Sequence, residues 1–223
     1  MSRFQSEFGI GFRQSDHLVF FGGKGCSEQT LCSQYPEMTF QRIRQTHSSI
    51  VVESSSVPVE ADAHFASEKN VALVVATADC IPLMVYCRQT KKIAAVHAGW
   101  KGIQGNITKN TLQALIANGS TMLDFQFYVG PHIMQKSFET DADVFQALAA
   151  ANPALNSGEF SSFANNKWQI NLEKIMEFQI KNIIKRPLEI YYANVDTKTD
   201  ERFHSYRRGK HSSERNLSFI ARL

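Results

Sequence analysis

Two histidines and one cysteine stand where they could share a metal ion or a proton. His47 lies at the predicted end of a strand, His97 is near the end of the predicted strand Ile93–Ala98, and Cys80 follows the apolar run Val71–Thr77. A rigid sheet can hold ligand side chains at such strand ends. Two imidazoles and a thiolate suit Zn²⁺, and three protein ligands leave a fourth position for water, as in catalytic zinc sites.

The hairpin predicted to join the strands beside Cys80 and His97 allows a test of their proximity. Residues that face each other in an antiparallel hairpin have numbers with a constant sum, and for this pair the sum of 177 places the turn between Arg88 and Gln89. Opposed residues have Cβ atoms ~4.5–5.5 Å apart on the same face. We therefore expect Cys80 and His97 to lie side by side, whereas a register slip of one residue would put them on opposite faces.

The same residues permit other interpretations. Copper would bind these donors more tightly than zinc by raw affinity, so the donor types do not choose the metal. Cys80 could act as a nucleophile with His97 as its base, without a metal. A buried strand cysteine is commonly a small hydrophobe, and a strand histidine a satisfied core residue. Asp79 could orient a ligand, accept a proton or cap the turn before Cys80, and Cys80, His97 and Asp79 are the candidate catalytic residues.

Two further segments could bind an anion. The glycine-rich turn Gly99–Gly105, which includes Trp100, follows a predicted strand and opens a helix, so its backbone N–H groups could hold an anion, although a plain tight turn explains it equally well. Arg207–His211 concentrates positive charge near the C-terminus, which suits phosphate and also suits a solvated loop. Gly99, Trp100 and Arg207 are therefore candidate substrate-binding residues.

The remaining histidines lie in predicted loops or turns, where exposed histidines without a function are expected for most of them. They are His17, His64, His132, His204 and His211. His132 and His204 adjoin Gly130–Pro131 and the arginine pair, and the fold could bring either one to the metal site.

Short apolar runs and helically spaced apolar residues alternate irregularly along the chain. The predicted strands are Val71–Thr77 (buried on both faces), Pro82–Cys87, Ile93–Ala98, Phe125–Val129, Leu188–Val195 and Leu217–Ala221. The predicted helices run from after Gly105 to Asn118–Gly119, over Asp141–Ala151 and over Asn171–Lys185. Because the hairpin excludes a purely parallel sheet, the sequence predicts an α+β fold, in one domain over residues 1–223.

The composition narrows the class of protein. The chain has 223 residues, a net charge of +3, 20% charged and 43% hydrophobic residues, which excludes a disordered tail and a polybasic nucleic-acid arm. No apolar run approaches the ~18 residues that cross a bilayer, and the N-terminal sequence does not read as a signal peptide. Four cysteines are too few for a disulfide scaffold. We expect a cytoplasmic protein with no membrane and no nucleic-acid partner.

With these residues assembled, the chain resembles the YfiH family, also described as polyphenol oxidase or laccase-domain proteins. The matching segments are Gln45–Val52, Ala61–Ala63, Thr77–Leu83, Ala94–Gly102, Gly130–Ile133 and Ser205–Arg208. They follow the family's order, and the pair Thr-Ala-Asp-Cys and His-Ala-Gly-Trp-Lys-Gly at this separation is highly specific.

The resemblance implies a domain of mixed β-sheets flanked by helices, with zinc held by His47, Cys80 and His97. It also implies activity on purine nucleosides. Members of the family deaminate adenosine to inosine, and they cleave nucleosides, including methylthioadenosine, with phosphate to give the free base and ribose 1-phosphate. The expected partners are thus purine nucleosides such as adenosine, inosine and guanosine and inorganic phosphate, and a homo-oligomer is compatible with the sequence.

The chain departs from the family pattern in its N-terminal part. Phe20–Gly25 has no arginine between its phenylalanines and glycines, so the resemblance does not extend to phosphate contacts from this loop. Three other functions stay open: a copper-dependent polyphenol oxidase, a metal-free cysteine hydrolase using Cys80 and His97, and a binding module in which the three ligands only tie strands together. A multicopper laccase uses around ten histidines, and this chain has seven.

Overall fold

The computed structural model describes residues 1–122, 124–209 and 213–223. Within them the strands are β1 (Ser2–Ser6), β2 (Gly9–Arg13), β3 (His17–Gly22), β4 (Thr39–Arg42), β5 (Val51–Glu53), β6 (Ala63–Ala66), β7 (Val71–Thr77), β8 (Ile81–Cys87), β9 (Ile93–Ala98), β10 (Phe125–Val129), β11 (Glu139–Thr140), β12 (Ser161–Ala164), β13 (Lys167–Ile170), β14 (Glu189–Tyr192) and β15 (Asn216–Arg222). The helices are α1 (Glu28–Gln34), α2 (Trp100–Gln104), α3 (Ile107–Ala117), α4 (Ala142–Ala151), α5 (Ser157–Phe160) and α6 (Leu172–Ile183).

Two six-stranded mixed sheets form the centre of the fold. One has the order β1-β2-β3-β15-β7-β4, and the other has the order β14-β10-β8-β9-β6-β5. Strand β7 lies between β15 and β4, and its residues are almost all buried, as predicted for a strand covered on both faces. Parallel and antiparallel pairs occur in both sheets, so the predicted mixed α+β class is confirmed.

Three apolar clusters separate the layers. One lies between the two sheets and includes Phe21, Tyr86 and Tyr128. A larger one joins the second sheet to α3, α4 and α6, and the smallest covers the outer face of the first sheet with residues such as Leu31 of α1. Residues near the strand ends therefore sit on a backbone that is packed from both sides.

Helix α6 shows how local sequence sets a boundary. Asn171 caps it, and its side-chain oxygen accepts a hydrogen bond from the Lys174 N–H at 3.0 Å. The helix ends at Ile183, ahead of the predicted Lys185. Strand β14 is also shorter than predicted, since Leu188–Val195 is reduced to Glu189–Tyr192. No helix in the described part of the chain has the length and apolar character needed to span a bilayer.

A buried polar network ties the two sheets together. His17 is fully buried and stacks on Tyr86 with ring centroids 3.9 Å apart. Its ring nitrogens contact the Asp16 carboxylate at 3.0 Å and the Tyr128 hydroxyl at 2.7 Å. Asp16 also accepts hydrogen bonds from the Tyr86 hydroxyl at 2.6 Å and the Lys91 ammonium at 2.9 Å. The expectation that His17 is an exposed loop residue is therefore wrong.

Replacing Asp16 is expected to make the free energy of unfolding depend less on pH in the acid range. Desolvation alone would raise the pKa of Asp16, but hydrogen bonds from Tyr86, Lys91 and His17 outweigh it and hold that pKa well below its usual range. The stabilisation is therefore present above the unfolded-state pKa and is lost as the pH falls towards the folded-state value. Because the carboxylate is partly exposed, we expect Asp16→Asn to cost only about 1 kcal/mol at pH 7.

Urea unfolding of the unmodified chain and of Asp16→Asn, each at neutral and at acid pH, measures the difference in their free energies of unfolding. Asp141→Asn is the matched control, because Asp141 pairs with Lys167 on the surface and its loss should cost a few tenths of a kcal/mol. A difference between Asp16→Asn and the unmodified chain that stayed constant into acid would contradict the assigned cause.

Candidate metal centre

The structure brings His47, Cys80 and His97 together. His47 lies in the loop after β4, Cys80 in the turn between β7 and β8, and His97 in β9. Their nearest donor atoms all lie within 4.8 Å of one another, and His47 Nε2 is 4.0 Å from Cys80 Sγ. Within the described residues this is the one group of at least three histidine, cysteine or acidic side chains that is close enough together to hold a metal ion.

The register of the β8–β9 hairpin differs from the predicted one by two residues. Ile81 pairs with Ala98 and Pro82 with His97, so Cys80 is level with Gly99 and not with His97. The expectation of direct opposition is therefore wrong. A shift of two residues keeps side chains on the same face, which is why Cys80 and His97 still converge, as diagonal neighbours.

Gly99 makes room for this diagonal approach. A Cβ atom at Gly99 would lie 2.9 Å from Cys80 Sγ and 3.1 Å from His47 Cδ2. Its backbone has φ −75°, which any residue can adopt, so space rather than backbone conformation requires the glycine. Gly99 thus lies beside two side chains of the triad, and the expectation that its backbone binds substrate stays a prediction.

A methyl group at Gly99 is expected to disturb the triad without unfolding the chain. We expect Gly99→Ala to weaken Zn²⁺ binding by about tenfold, the lower end of the range for residues that orient metal ligands. Competition with a chromophoric chelator measures this affinity. Gly158→Ala is the control, because its added Cβ would lie 3.5 Å from Asn156 Oδ1, an ordinary contact. Unchanged affinity in Gly99→Ala would show that the triad can accommodate the methyl group.

His47 has an unusual backbone conformation that a buried carboxylate stabilises. Its φ is 60°, in the left-handed region that non-glycine residues seldom occupy. Asp62, which is fully buried, accepts hydrogen bonds from the N–H groups of Thr46, His47 and Ser48 at 3.1, 3.1 and 2.6 Å. It also accepts one from the Ser48 hydroxyl at 2.7 Å. His47 thus lies in a braced loop and not at a strand end, which corrects the prediction.

Asp62 also orients His97. Its Oδ1 lies 2.7 Å from His97 Nδ1, which leaves Nε2 as the ring nitrogen for a metal. Metal-binding histidines commonly use the second nitrogen in this way. Burial alone would raise the pKa of Asp62, but hydrogen bonds from His97, Ser48 and Thr46 outweigh it and keep the pKa far below its usual range. Sequence reasoning did not identify Asp62 as a site residue. The one signal that could have done so is that Ala61–Ala63 is among the segments that resemble the YfiH family.

The thiol and the imidazole of the triad shift each other's protonation. Desolvation would raise the pKa of Cys80, but hydrogen bonds with His47 and His97 lower it to about 7. Desolvation would lower the pKa of His97, but its hydrogen bonds to Asp62 and Cys80 raise it to about 9. The lowered pKa of Cys80 therefore makes the thiolate accessible at neutral pH, and the thiolate is the form of cysteine that binds metals or acts as a nucleophile.

The donor set fits a metal ion. Two imidazoles and one thiolate that converge from a rigid scaffold match the ligands of catalytic zinc sites, and the carboxylate behind His97 matches their outer shell. The same donors would accept copper, so the chemistry of the triad supports a metal site without selecting the metal.

Asp79 has different contacts from those expected. Its Oδ1 accepts a hydrogen bond from the Thr197 hydroxyl at 2.6 Å, and its Oδ2 accepts one from the Arg207 N–H at 2.7 Å. The carboxylate that orients an imidazole of the triad is Asp62, and a role of Asp79 in orienting a ligand stays a prediction. Asp79 holds the C-terminal segment against the pocket, and a role in proton transfer also stays a prediction.

The triad opens into a cavity of about 770 Å³, a size suited to a small-molecule ligand. His47, Cys80 and His97 lie on its wall. The remaining wall is aromatic, basic and apolar, and it includes Trp100, Lys101, Ile133, Phe138, Tyr206, Arg207 and Arg215.

Two cations of this wall are placed by aromatic rings. The Arg207 guanidinium lies over Phe138 at 5.4 Å from the ring centroid and donates a hydrogen bond to the Glu139 carbonyl at 2.7 Å. The Lys101 ammonium lies 5.7 Å from the Trp100 ring centroid. Trp100 and Lys101 belong to the glycine-rich turn, which forms a helix of only five residues. The structure thus brings the predicted Trp100 and Arg207 to the same cavity as the triad.

The buried histidines His64 and His132 do not line this cavity. His64 is buried in β6, and its Nδ1 contacts the Ser54 hydroxyl at 3.0 Å. His132 is also buried, bonded through Nδ1 to the Gly130 carbonyl at 2.8 Å, so the expectation of exposed loop histidines fails for both. In the loop Phe20–Gly25, the Lys24 N–H donates to the Arg202 carbonyl at 2.8 Å. Lys210 and His211 of the basic segment lie outside the described residues.

Comparison with known proteins gives consistent matches. Residues 27–223 match the sequence model of a family described as multi-copper polyphenol oxidoreductase laccase. A purine nucleoside phosphorylase of Rickettsia conorii is 31% identical over 161 residues, which cover 68% of this chain and 65% of that protein. The match thus spans slightly less than two thirds of that relative. Purine nucleoside phosphorylase YfiH of Shigella flexneri is 29% identical over 182 residues, covering 80% of this chain and 72% of that one.

A solved structure has the same fold. The crystal structure of the Bacillus licheniformis protein called YfiH superposes with a TM-score of 0.86 at 18% identity, covering 97% of both chains. At this identity the likeness concerns the fold, and it agrees with the mixed sheets and flanking helices described above.

Proposed function

The chain belongs to the YfiH family, whose sequence model is described as multi-copper polyphenol oxidoreductase laccase, and from this premise we propose that it is a purine nucleoside phosphorylase. In this reaction a phosphate oxygen forms a bond to C1′ of the ribose while the bond from C1′ to the purine nitrogen breaks. The products are ribose 1-phosphate and the free base, which takes up a proton. The names of the relatives at about 30% identity support this proposal.

One observation carries the proposal: the His47–Cys80–His97 triad faces a cavity whose wall also presents aromatic rings and cations. A nucleoside combines a flat base, which packs on aromatic faces, with a polar ribose, and phosphate needs positive charge. The triad and both kinds of wall residue lie around one space of about 770 Å³, which accommodates a nucleoside together with an anion.

In the proposed site His47, Cys80 and His97 hold Zn²⁺. Zinc bound in this way supplies Lewis-acid polarisation of an oxygen or acidification of water. Asp62 keeps Nδ1 of His97 hydrogen-bonded, so that Nε2 faces the metal position. The Thr46–Ser48 loop is braced by the same carboxylate, which reduces the rearrangement needed when the metal binds.

The wall cations are the proposed phosphate site. One terminal nitrogen of Arg207 donates a hydrogen bond to the Glu139 carbonyl. Because a guanidinium has five N–H donors, other donors of Arg207 stay available for an anion. The Lys101 ammonium lies 5.7 Å from the centroid of the Trp100 ring. Trp100 and the half-exposed Tyr206 offer ring faces to the base. Asp79 contributes indirectly, because it fixes the backbone of Arg207.

We expect Arg207→Ala to raise KM for phosphate about tenfold or more, since a charge-assisted hydrogen bond contributes about 1.5–3 kcal/mol. The KM for the nucleoside should change less. Steady-state kinetics at varied phosphate measures both constants. Arg202→Ala is the control, because Arg202 pairs with Asp200 on the surface. Equal effects of the two substitutions would remove Arg207 from the phosphate site.

Chromatographic product analysis of zinc-loaded protein tests the proposal directly. Adenosine and inosine are incubated separately with and without phosphate. Free base that forms only with phosphate, together with ribose 1-phosphate, supports phosphorolysis. We further propose that the same site deaminates adenosine, which predicts inosine in both conditions. Folded, metal-replete protein that forms none of these products would refute the proposal.

Two other functions are distinguished by the same preparation. A copper oxidoreductase matches the description of the family model, yet multicopper oxidation requires several metal sites and the described residues contain one candidate group. A cysteine hydrolase is favoured by the lowered pKa of Cys80 beside His97. It would work after chelation of the metal, whereas the proposed phosphorylase would stop.

A further inference from the structure

Three separate segments supply the metal ligands, so three relative positions must be fixed. Cys80 and His97 are linked by the hydrogen-bonded hairpin of β8 and β9, which pairs Ile81 with Ala98. His47 and His97 are linked by Asp62, which binds the backbone of one and the ring of the other. His47 and Cys80 need a third link, because His47 follows the edge strand β4 and Cys80 follows β7.

Backbone pairing does not extend from β4 to His47. Strand β4 runs parallel to β7 from Thr39, level with Val71, to Arg42, level with Val74. The backbone then leaves β7: the Arg44 N–H donates to the Val59 carbonyl at 2.9 Å, and the Arg44 carbonyl accepts from the Ala61 N–H. Residues after Val74 in β7 therefore lose β4 as a neighbour just before the chain reaches Cys80.

A side chain replaces the missing backbone partner. Gln45 Nε2 donates to the Ala76 carbonyl at 2.8 Å, and Gln45 Oε1 accepts from the Ala76 N–H at 2.7 Å. A carboxamide has the same donor and acceptor groups as a peptide unit. Gln45 therefore forms two hydrogen bonds to one residue of β7, as a neighbouring strand would.

We infer that Gln45 is a positioning residue that fixes His47 relative to Cys80. It anchors the chain two positions before His47 to the segment of β7 that leads into the Cys80 turn. A different contact then fixes the relative position of each pair of ligands. The hairpin fixes Cys80 and His97, Asp62 fixes His47 and His97, and Gln45 fixes His47 and Cys80. This inference rests on the proposed use of the triad as a metal site.

Only a carboxamide of this length satisfies both groups of Ala76. A carboxylate of the same length can accept from the N–H, but when ionised it has no hydrogen to donate to the carbonyl. Asparagine has the right group on a side chain shorter by one methylene. Alanine removes both hydrogen bonds. We therefore expect Gln45→Glu and Gln45→Ala each to loosen the His47 loop, with the β8–β9 hairpin unchanged.

Metal affinity is the test, since it does not depend on turnover of any nucleoside. Zn²⁺ dissociation constants are measured by chelator competition for the unmodified chain, Gln45→Ala, Gln45→Glu and Cys80→Ser. We expect both Gln45 variants to bind Zn²⁺ about 10–100-fold more weakly, the range found for residues that orient metal ligands. Gln41→Ala is the matched control, because it removes a carboxamide from β4 itself.

Cobalt substitution adds a readout that a general loss of stability would not produce. If Gln45 acts on His47, the Co²⁺-loaded Gln45→Ala protein keeps its sulfur-to-metal charge-transfer band and changes its ligand-field bands. Thermal unfolding of the metal-free proteins is recorded in parallel. A lower melting temperature with unchanged Zn²⁺ affinity and unchanged cobalt spectrum would overturn the inference and leave Gln45 a structural residue.

The Cys80→Ser protein separates this inference from the proposed function. Weakened Zn²⁺ binding in Cys80→Ser with normal binding in both Gln45 variants would refute the role of Gln45 alone. Normal binding in Cys80→Ser would refute the triad as the metal site, and the role of Gln45 with it. Weakened binding in Cys80→Ser and in both Gln45 variants, with normal binding in Gln41→Ala, is the result expected here.

Discussion

Cys80→Ser is expected to lower kcat/KM for phosphorolysis by at least about 100-fold, beyond the upper end of the effect of outer-shell substitutions in metal sites. Cys80 is the one anionic donor of the triad, and its pKa of about 7 makes the thiolate accessible at neutral pH. A serine hydroxyl is nearly the same size but stays protonated, so the metal loses its charged ligand. The zinc content of the purified protein should fall in parallel.

Cys32→Ser is the matched control. Cys32 is exposed on α1, and its replacement should leave zinc content and activity unchanged. Chelation of the unmodified chain then distinguishes metal from thiol chemistry. Activity that is lost with a chelator and restored by Zn²⁺ supports the proposed metal site. Activity that survives chelation but is lost on alkylation of Cys80 would replace it with nucleophilic catalysis by the thiolate.

The second large effect is expected at Asp62. In Asp62→Asn, one of the two carboxylate oxygens becomes an NH₂ group and faces N–H donors. In the unmodified chain, Oδ2 of Asp62 accepts hydrogen bonds from Thr46 and Ser48, and Oδ1 accepts them from His47 and His97. Either orientation of the amide leaves buried donors unsatisfied, at about 1–3 kcal/mol for each. We expect a loss of about 3 kcal/mol in the free energy of unfolding and about 10–100-fold weaker Zn²⁺ binding.

Asp196→Asn provides the comparison for Asp62. Asp196 also organises a loop, since its carboxylate accepts hydrogen bonds from the Ser137 hydroxyl at 2.7 Å and the Lys198 N–H at 3.0 Å. Its replacement should reduce stability and leave metal affinity unchanged. Chemical denaturation and metal competition are measured for both variants. If Asp62→Asn lost stability but kept full affinity, the carboxylate would brace the fold without orienting the ligands.

Several strands of the two large sheets could be predicted from local patterns. Val71–Thr77, Ile93–Ala98 and Phe125–Val129 have the predicted bounds, because buried strands are continuous apolar runs that end at turn residues. Asn118–Gly119 ends α3 as predicted, with Gly119 at φ 91°, a conformation that suits glycine. These features depend on neighbours in the sequence.

The hairpin shows where local patterns become insufficient. The polar stretch Arg88–Lys92 indicated a turn, but the pairing of Pro82 with His97 depends on how the turn is built, with Lys91 at φ 57°. The sum of residue numbers could therefore be wrong by two while the face stayed right, since a shift of two preserves the side-chain direction.

The amino-acid sequence by itself determined the chemistry of this protein: which donors are present, the apolar strands that carry them, and the family to which its motifs belong. Tertiary structure decided how those donors are held. Asp62 and Gln45 act on His47 through hydrogen bonds to backbone groups of segments that lie apart in the chain. Such contacts have no periodicity and no local signature, because a carboxylate or carboxamide can reach any donor that the fold brings within about 3 Å. The sequence could therefore indicate the ligands, but only the packing of the two sheets shows what keeps them in place.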